Sequence, residues 1–181
     1  LRVLRNANGF RPQFFQQAID RNPELIGLHR VTGNQVDLPF CVDRNLAGRP
    51  SLIGRRVALV GCGTIGGYLA RMLAQAGAGC GAPLLLYDTD SFSPGNLGRH
   101  TLGFVDLGRA KVNAVADQLR AFHPEVSADP RHTDATADWD ALEGVELIID
   151  ATGEPNVATS LNDKYLRSQR TGAELALLHS F

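Results

Sequence analysis

The chain has 181 residues, with 18 basic and 19 acidic side chains, and so no broad positive surface for a nucleic acid. That length allows one domain with a substantial core, and no apolar run is long enough to span a bilayer. No secretory signal pattern is present, so a cytoplasmic protein is expected. The start at Leu1 rather than Met suggests a piece of something longer.

Residues 1–50 read as an N-terminal extension or linker. Pro12 to Arg21 fits a short helix with Phe15 and Ile19 at i, i+4, ended by Asn22-Pro23. Leu38 to Val42 is a short apolar run with the length of a strand, and Asp43, Arg44 and Asn45 read as a polar turn after it. Cys41, Cys62 and Cys80 are scattered with no C-x-x-C pair and read as buried or incidental thiols.

Val57 to Val60 is the first clear strand. Gly61, Gly63 and Gly66 follow at G-x-G-x-x-G spacing, and a helical pattern starts at once. Its expected apolar face is Ile65, Leu69, Met72, Leu73 and Ala76. Strand, glycine turn and helix N-terminus together make an anion site, because the first amides of the helix point outward and carry the positive end of its dipole. Gly61 permits the turn, Gly63 lets a phosphate approach the backbone with Thr64 next to it, and Gly66 lets the helix lie close to the strand.

A second apolar run, Leu84 to Tyr87, ends in Asp88, 22 positions after Gly66. That is about the spacing at which a carboxylate meets a ribose hydroxyl. A Gly/Pro/Ser-rich loop with Asp90, Asn96 and Arg99 comes next, and Lys111 opens the following helix. A dinucleotide needs only the glycine turn and the acid. Added cations suit a triphosphate, whose charge must be neutralised before a nucleophile approaches. For Arg99 alone a solvated surface role is the simpler reading, and for Asp90 a solvated acid is an equal alternative.

Asp106 is the expected N-cap of the next helix, with Val112, Val115, Leu119 and Phe122 on its apolar face and His123-Pro124 at its end. Val126 to Arg131 reads as a third strand, Val145 to Asp150 as a fourth running into Ala151-Thr152-Gly153, and Glu174 to Leu178 as a last buried one. Val157, Leu161 and Tyr165 mark a helix between the last two. The expected fold is α/β, a Rossmann-like, mostly parallel sheet in the order 3-2-1-4-5 with helices on both faces and a short N-terminal extension.

The residues G-C-G-T-I-G-G, Y-D-T-D, N-L-G-R-H and L-G-R-A-K resemble, in order, the motifs G-x-G-x-x-G, D-x-D, N-L-x-R-Q and G-x-x-K of the ThiF/MoeB/HesA family, bacterial relatives of ubiquitin-activating enzymes. The resemblance covers about Leu52 to Phe181. It marks residues 51–181 as a ThiF-type ATP-binding adenylation domain, C-terminally incomplete, since a catalytic cysteine in this family lies further along. The variant S-P-G-N-L-G-R-H also resembles ThiF-type domains found beside ubiquitin-conjugating-like domains.

The resemblance implies ATP-dependent adenylation of the C-terminal carboxylate of a ubiquitin-like or sulfur-carrier protein, by a homodimer whose N-terminal segment crosses to its neighbour. ATP would meet Gly61, Gly63, Thr64, Gly66, Asp88, Asp90, Asn96, Arg99 and Lys111, with Arg99 and Lys111 also stabilising the charge of the transition state. Family members bring an N-terminal arginine to a phosphate; Arg44, Arg49, Arg55 and Arg56 are the candidates. Where the family reads D-x-T-D-N and holds magnesium on the second acid, this chain has Asp150-Ala151-Thr152-Gly153-Glu154. Glu154 is then the first choice for the Mg2+ ligand and Asp150 the second. Two other readings stand beside this one. A non-catalytic ThiF-like binding partner would explain the altered acid. An NAD(P)-binding oxidoreductase shares the glycine turn and Asp88 but leaves Asn96, Arg99 and Lys111 without a reason.

Overall fold

The computed structural model describes residues 5–6, 9–10, 12–21, 31–171 and 175–179. The chain divides into two compact units, Leu1–Asn34 and Gln35–Phe181. In the first, β1 (Arg5–Asn6) pairs antiparallel with β2 (Gly9–Phe10). The predicted helix follows as α1 (Pro12–Arg21), with Pro12 at its first position, where a missing N–H costs nothing. The Phe15 side chain lies outside the described residues.

The second unit begins with a correction. Leu38 to Val42 is not a strand but the start of α2 (Leu38–Leu46). Asp37 caps it, accepting from the Phe40 amide at 3.0 Å, and Pro39 sits in the first turn. Leu38 and Val42, one turn apart, are both 1% exposed. Five residues are too few to separate the two periods, and the cap decides for the helix. Residues Asp43, Arg44 and Asn45 are therefore helical rather than a turn.

Five strands follow: β3 (Val57–Val60), β4 (Leu84–Tyr87), β5 (Ala128–Arg131), β6 (Leu147–Asp150) and β7 (Ala176–His179). All pair in parallel, in the order β5-β4-β3-β6-β7, which is the expected 3-2-1-4-5. The connecting helices are α3 (Thr64–Gln75), α4 (Lys111–Phe122) and α5 (Pro155–Thr171). Val57, Leu59, Leu84 and Leu86 face one core with α2, α3 and α4, while Ala58, Val60, Leu85 and Tyr87 face another with Leu161 of α5. A sheet covered on both faces needs continuous apolar strands, as β3 and β4 are.

Pro130, which cannot donate to a ladder, lies on the edge strand β5. The opposite edge departs from expectation: β7 is not fully buried, since Leu178 is 55% exposed, and Glu174 and Phe181 lie outside the described residues. Asp106 does not cap α4 either. It sits in a 3-10 turn (Phe104–Asp106) and pairs with Arg109, while Ala110 takes the cap position and Lys111 the first helical one. Among the described residues no helix is long and apolar enough to cross a membrane.

α3 also differs from its predicted face. Its buried residues are Gly66, Gly67, Ala70, Leu73 and Ala74, whereas Ile65 and Met72 are 47% and 61% exposed. The small residues let the helix axis approach the sheet, which turns the large ones outward. Ile65, Tyr68 and Met72 form an exposed stripe at i, i+3, i+7.

Candidate functional site

β3 and β6 are neighbours whose helices leave on opposite sides of the sheet, and ligands in open α/β sheets bind beyond the strand ends at such a switch point. A cleft of about 350 Å3 lies there, lined among others by Gly61, Gly63, Asp88, Asp90, Lys111, Thr152 and Glu154. The glycine turn forms its floor. Gly61 has φ +91°, and a Cβ there would come within 2.8 Å of the Ala151 carbonyl carbon. A Cβ on Gly66 would stand 1.8 Å from the Gly61 carbonyl oxygen, so the helix touches the turn main chain to main chain. A Cβ on Gly63 would meet nothing within 4 Å. Gly63 is the N-cap of α3 and offers no capping side chain, so no side chain caps the first-turn amides; Gly63 lines the cleft, whereas Thr64 and Gly66 do not.

Asp88 ties this turn to the next wall. Its Oδ2 accepts from the Cys62 amide at 2.7 Å and its Oδ1 from the Asp90 amide at 2.8 Å. Asp90 in turn accepts the Lys111 ammonium at 2.6 Å, and its carbonyl accepts the Lys111 amide at 3.0 Å. Lys111 is 7% exposed although it is charged and sits in the first turn of a helix, where the dipole disfavours a cation. The Asp90 carboxylate offsets that cost. Burial, and then the Asp88 charge, push the Cys62 thiol well above the ordinary thiol range.

The other cations stand apart. Asn96 closes a 3-10 turn (Pro94–Asn96), its Oδ1 accepting from the Ser93 amide and hydroxyl at 2.9 Å each. Arg99 is exposed, and its side chain has no partner among the described residues. Neither lines the cleft. Arg55 pairs with Glu146 at the start of β3 and β6, the far end of the sheet, and Arg44, Arg49 and Arg56 do not line the cleft either.

On the β6 side, Asp150 is 3% exposed. Its Oδ1 accepts from the Thr152 amide at 2.9 Å and hydroxyl at 2.6 Å, and its Oδ2 lies 2.9 Å from His179 Nδ1. Gly153 follows at φ +70°, then Glu154, exposed at the cleft rim. Among the described residues no group of three or more His, Cys, Asp or Glu side chains is placed to hold a metal. Magnesium commonly takes one or two carboxylates with phosphate and water completing its shell, and Glu154 fits that demand better than the internally bonded Asp150.

The model of the ThiF family matches residues 42–174. The chain belongs to the ThiF family. Similar curated proteins include the ATP-dependent ubiquitin transferase-like protein Cap2 of Pseudomonas aeruginosa, 41% identical over 155 residues, 81% of this chain and 27% of that protein. Cap2 of Vibrio cholerae is 44% identical over 162 residues, 87% of this chain and 27% of its own length. The chain thus spans about a quarter of those relatives. Among solved structures, E. coli tRNA N6-threonylcarbamoyladenosine dehydratase TcdA in complex with AMP superposes with a TM-score of 0.62 at 23% identity, over 76% of this chain and 56% of that one. E. coli MccB with ATP gives 0.59 at 21%, over 79% and 39%. These structural likenesses are of fold.

In this ThiF domain, sequence reading left several residues of the cleft region unassigned. Tyr87, Thr133, Asp134, Ala135 and Val157 line the cleft. Thr133 and Asp134 lie between β5 and a 3-10 turn that Ala135 opens, and nothing in their spacing signals a wall. His100 stood in the N-L-G-R-H motif without a role. It is 7% exposed, with Nε2 at 2.7 Å from the Cys62 carbonyl oxygen and Nδ1 accepting the Leu102 amide at 3.1 Å. Gly67 makes room for it, since a Cβ there would be 3.1 Å from His100 Cε1.

Proposed function

We propose that this ThiF-family domain binds ATP and adenylates the C-terminal carboxylate of a ubiquitin-like or sulfur-carrier protein. The observation that carries the reading is the chain of bonds Cys62–Asp88–Asp90–Lys111, which gathers glycine turn, acid and lysine about one cleft. A carboxylate oxygen of the carrier attacks the α-phosphorus, the bond from that phosphorus to the bridging oxygen breaks, and pyrophosphate leaves. The amides of Gly63 and Thr64 hold phosphate oxygens. Asp88 keeps acceptor capacity beyond its two amide bonds for a ribose hydroxyl. Lys111 faces the charge that builds on the phosphates, and Arg99, exposed and without a side-chain partner among the described residues, swings in from the adjacent loop with Asn96 holding that loop's turn. Magnesium, when bound, neutralises phosphate charge, with Glu154 as its protein ligand and Asp150 the second choice.

The names of relatives support this reading: Cap2 is called ATP-dependent and ubiquitin transferase-like, a Haloferax volcanii relative at 29% identity is a SAMP-activating enzyme E1, and MccB has been crystallised with ATP. We further propose a cytoplasmic homodimer with the adenylation domain at residues 51–181. The exposed stripe Ile65, Tyr68 and Met72 favours self-association. Light scattering on the full-length protein at micromolar concentration should give a dimer mass, and a monomer mass counts against it. ATP–pyrophosphate exchange by the full-length protein with its carrier tests the activity. One observation favours the non-catalytic partner as second reading: Asp150, the acid that ends β6, is bonded internally to Thr152 and His179. A wild type with no exchange in the presence of its carrier would select it.

A further inference from the structure

We propose that His100 is a positioning residue that holds the Cys62–Gly63 peptide in the orientation an anion requires. The proposal rests on the reading of the glycine turn as a phosphate site.

The proton assignment follows from the neighbours. The Leu102 amide can only donate, so His100 Nδ1 accepts, and Nε2 carries the hydrogen of a neutral imidazole. That hydrogen is given to the Cys62 carbonyl oxygen at 2.7 Å. The described chain has no cis peptide, so in the Cys62–Gly63 unit the carbonyl and the Gly63 N–H point in opposite directions. Drawing the carbonyl toward His100 therefore sends the Gly63 N–H the other way, and Gly63 is a residue of the cleft lining.

The restraint is needed because the next residue is glycine. Reversing a peptide changes ψ of the residue before it and φ of the residue after it, and glycine accepts either sign of φ at little cost. A reversed Cys62–Gly63 unit would present a carbonyl, with its partial negative charge, where a phosphate must sit. Asp88 fixes the preceding peptide through the Cys62 amide, but nothing in that bond restrains the carbonyl side. His100 does. Its ring is fixed in turn by the Leu102 amide and by the edge of Phe92 with ring centres 5.2 Å apart, and Gly67 leaves room for it.

The test separates phosphate binding from general damage. Full-length wild type, His100→Phe and His100→Gln are titrated with ATP and with adenosine, with thermal unfolding followed alongside. Phenylalanine keeps a packed ring and loses both bonds. Glutamine can donate to the Cys62 carbonyl and accept from the Leu102 amide. His100→Phe should lose about ten-fold in ATP affinity, the value of one hydrogen bond, with adenosine affinity unchanged, and His100→Gln should stay within about two-fold of wild type. Unchanged ATP affinity in folded His100→Phe, or an equal loss for ATP and adenosine, overturns the proposal. If His100→Phe fails to fold, His100→Gln decides: retained ATP affinity supports the proposal and a ten-fold loss refutes it. A wild type that binds adenosine but not ATP overturns the phosphate reading itself, and this inference with it.

Discussion

The two walls of the cleft are built on different terms. On the β3–β4 side the groups that line the cleft are themselves bonded to one another: Asp88 accepts the Cys62 and Asp90 amides, Lys111 is held through its amide by the Asp90 carbonyl and through its ammonium by the Asp90 carboxylate, and the glycine turn touches its own helix. On the β6 side the buried acid, Asp150, is spent on Thr152 and His179, and the group that faces the cleft, Glu154, is exposed beyond a glycine at φ +70°. The first wall is thus a connected set of bonds around the cleft. Under the proposed reading the second wall separates an active domain from an inactive one, because there the proposed metal ligand is the exposed Glu154.

The largest difference between the walls should come from Gly66→Ala. Its methyl would overlap the Gly61 carbonyl oxygen, and the helix must move off the turn. A loss of about 3 kcal/mol or more in stability is expected from overpacking against backbone, read by thermal unfolding, together with loss of ATP binding. A variant as stable as wild type would mean that the turn is not closed as described.

Next come the cations. Lys111→Ala and Arg99→Ala should each slow ATP–pyrophosphate exchange by roughly a hundred- to a thousand-fold, as for other donors that face a developing charge. They should differ in stability. Arg99 is exposed and its loss should leave unfolding unchanged, whereas Lys111 is buried against Asp90. Unchanged exchange in both variants would remove their assignment.

The second wall is probed by Glu154→Gln and Asp150→Asn. Glu154→Gln should raise the magnesium needed for exchange and leave stability alone. Asp150→Asn should cost about 1–3 kcal/mol of stability, since it weakens buried bonds to Thr152 and His179. If both keep the wild-type rate and magnesium dependence, neither acid holds the ion.

The smallest effect is expected from Cys62→Ala, which removes a buried sulfur with a thiol pKa raised by burial. About 1 kcal/mol of stability is the expected cost, with exchange retained. Lost exchange in a folded variant would give the thiol a role that its protonated state does not allow.

What could be read from sequence follows the same division. Val57–Val60 and Leu84–Tyr87 are continuous apolar runs bounded by glycine or an acid, and both are strands in the expected sheet order. The glycine spacing was legible because Gly61 and Gly66 answer main-chain constraints, while Gly63 stands in open space. α3 was misread on its exposed stripe because glycine and alanine carry no weight in a hydrophobic pattern, yet they make the contact with the sheet. α2 was misread because its deciding signal is the Asp37 cap rather than periodicity. Asp106 had the chemistry of a cap but found Arg109 instead. His100 was hidden because the partner that gives it a role, the Cys62 carbonyl, is a backbone atom 38 positions away that no spacing rule joins to it.

The central claim is that the cleft takes a triphosphate through the glycine turn and Lys111. Calorimetry on the full-length protein with ATP and magnesium, set against NAD, tests it most directly. ATP should bind and NAD should not, with ATP binding weakened in Lys111→Ala. NAD bound more tightly than ATP would contradict the account and restore the oxidoreductase.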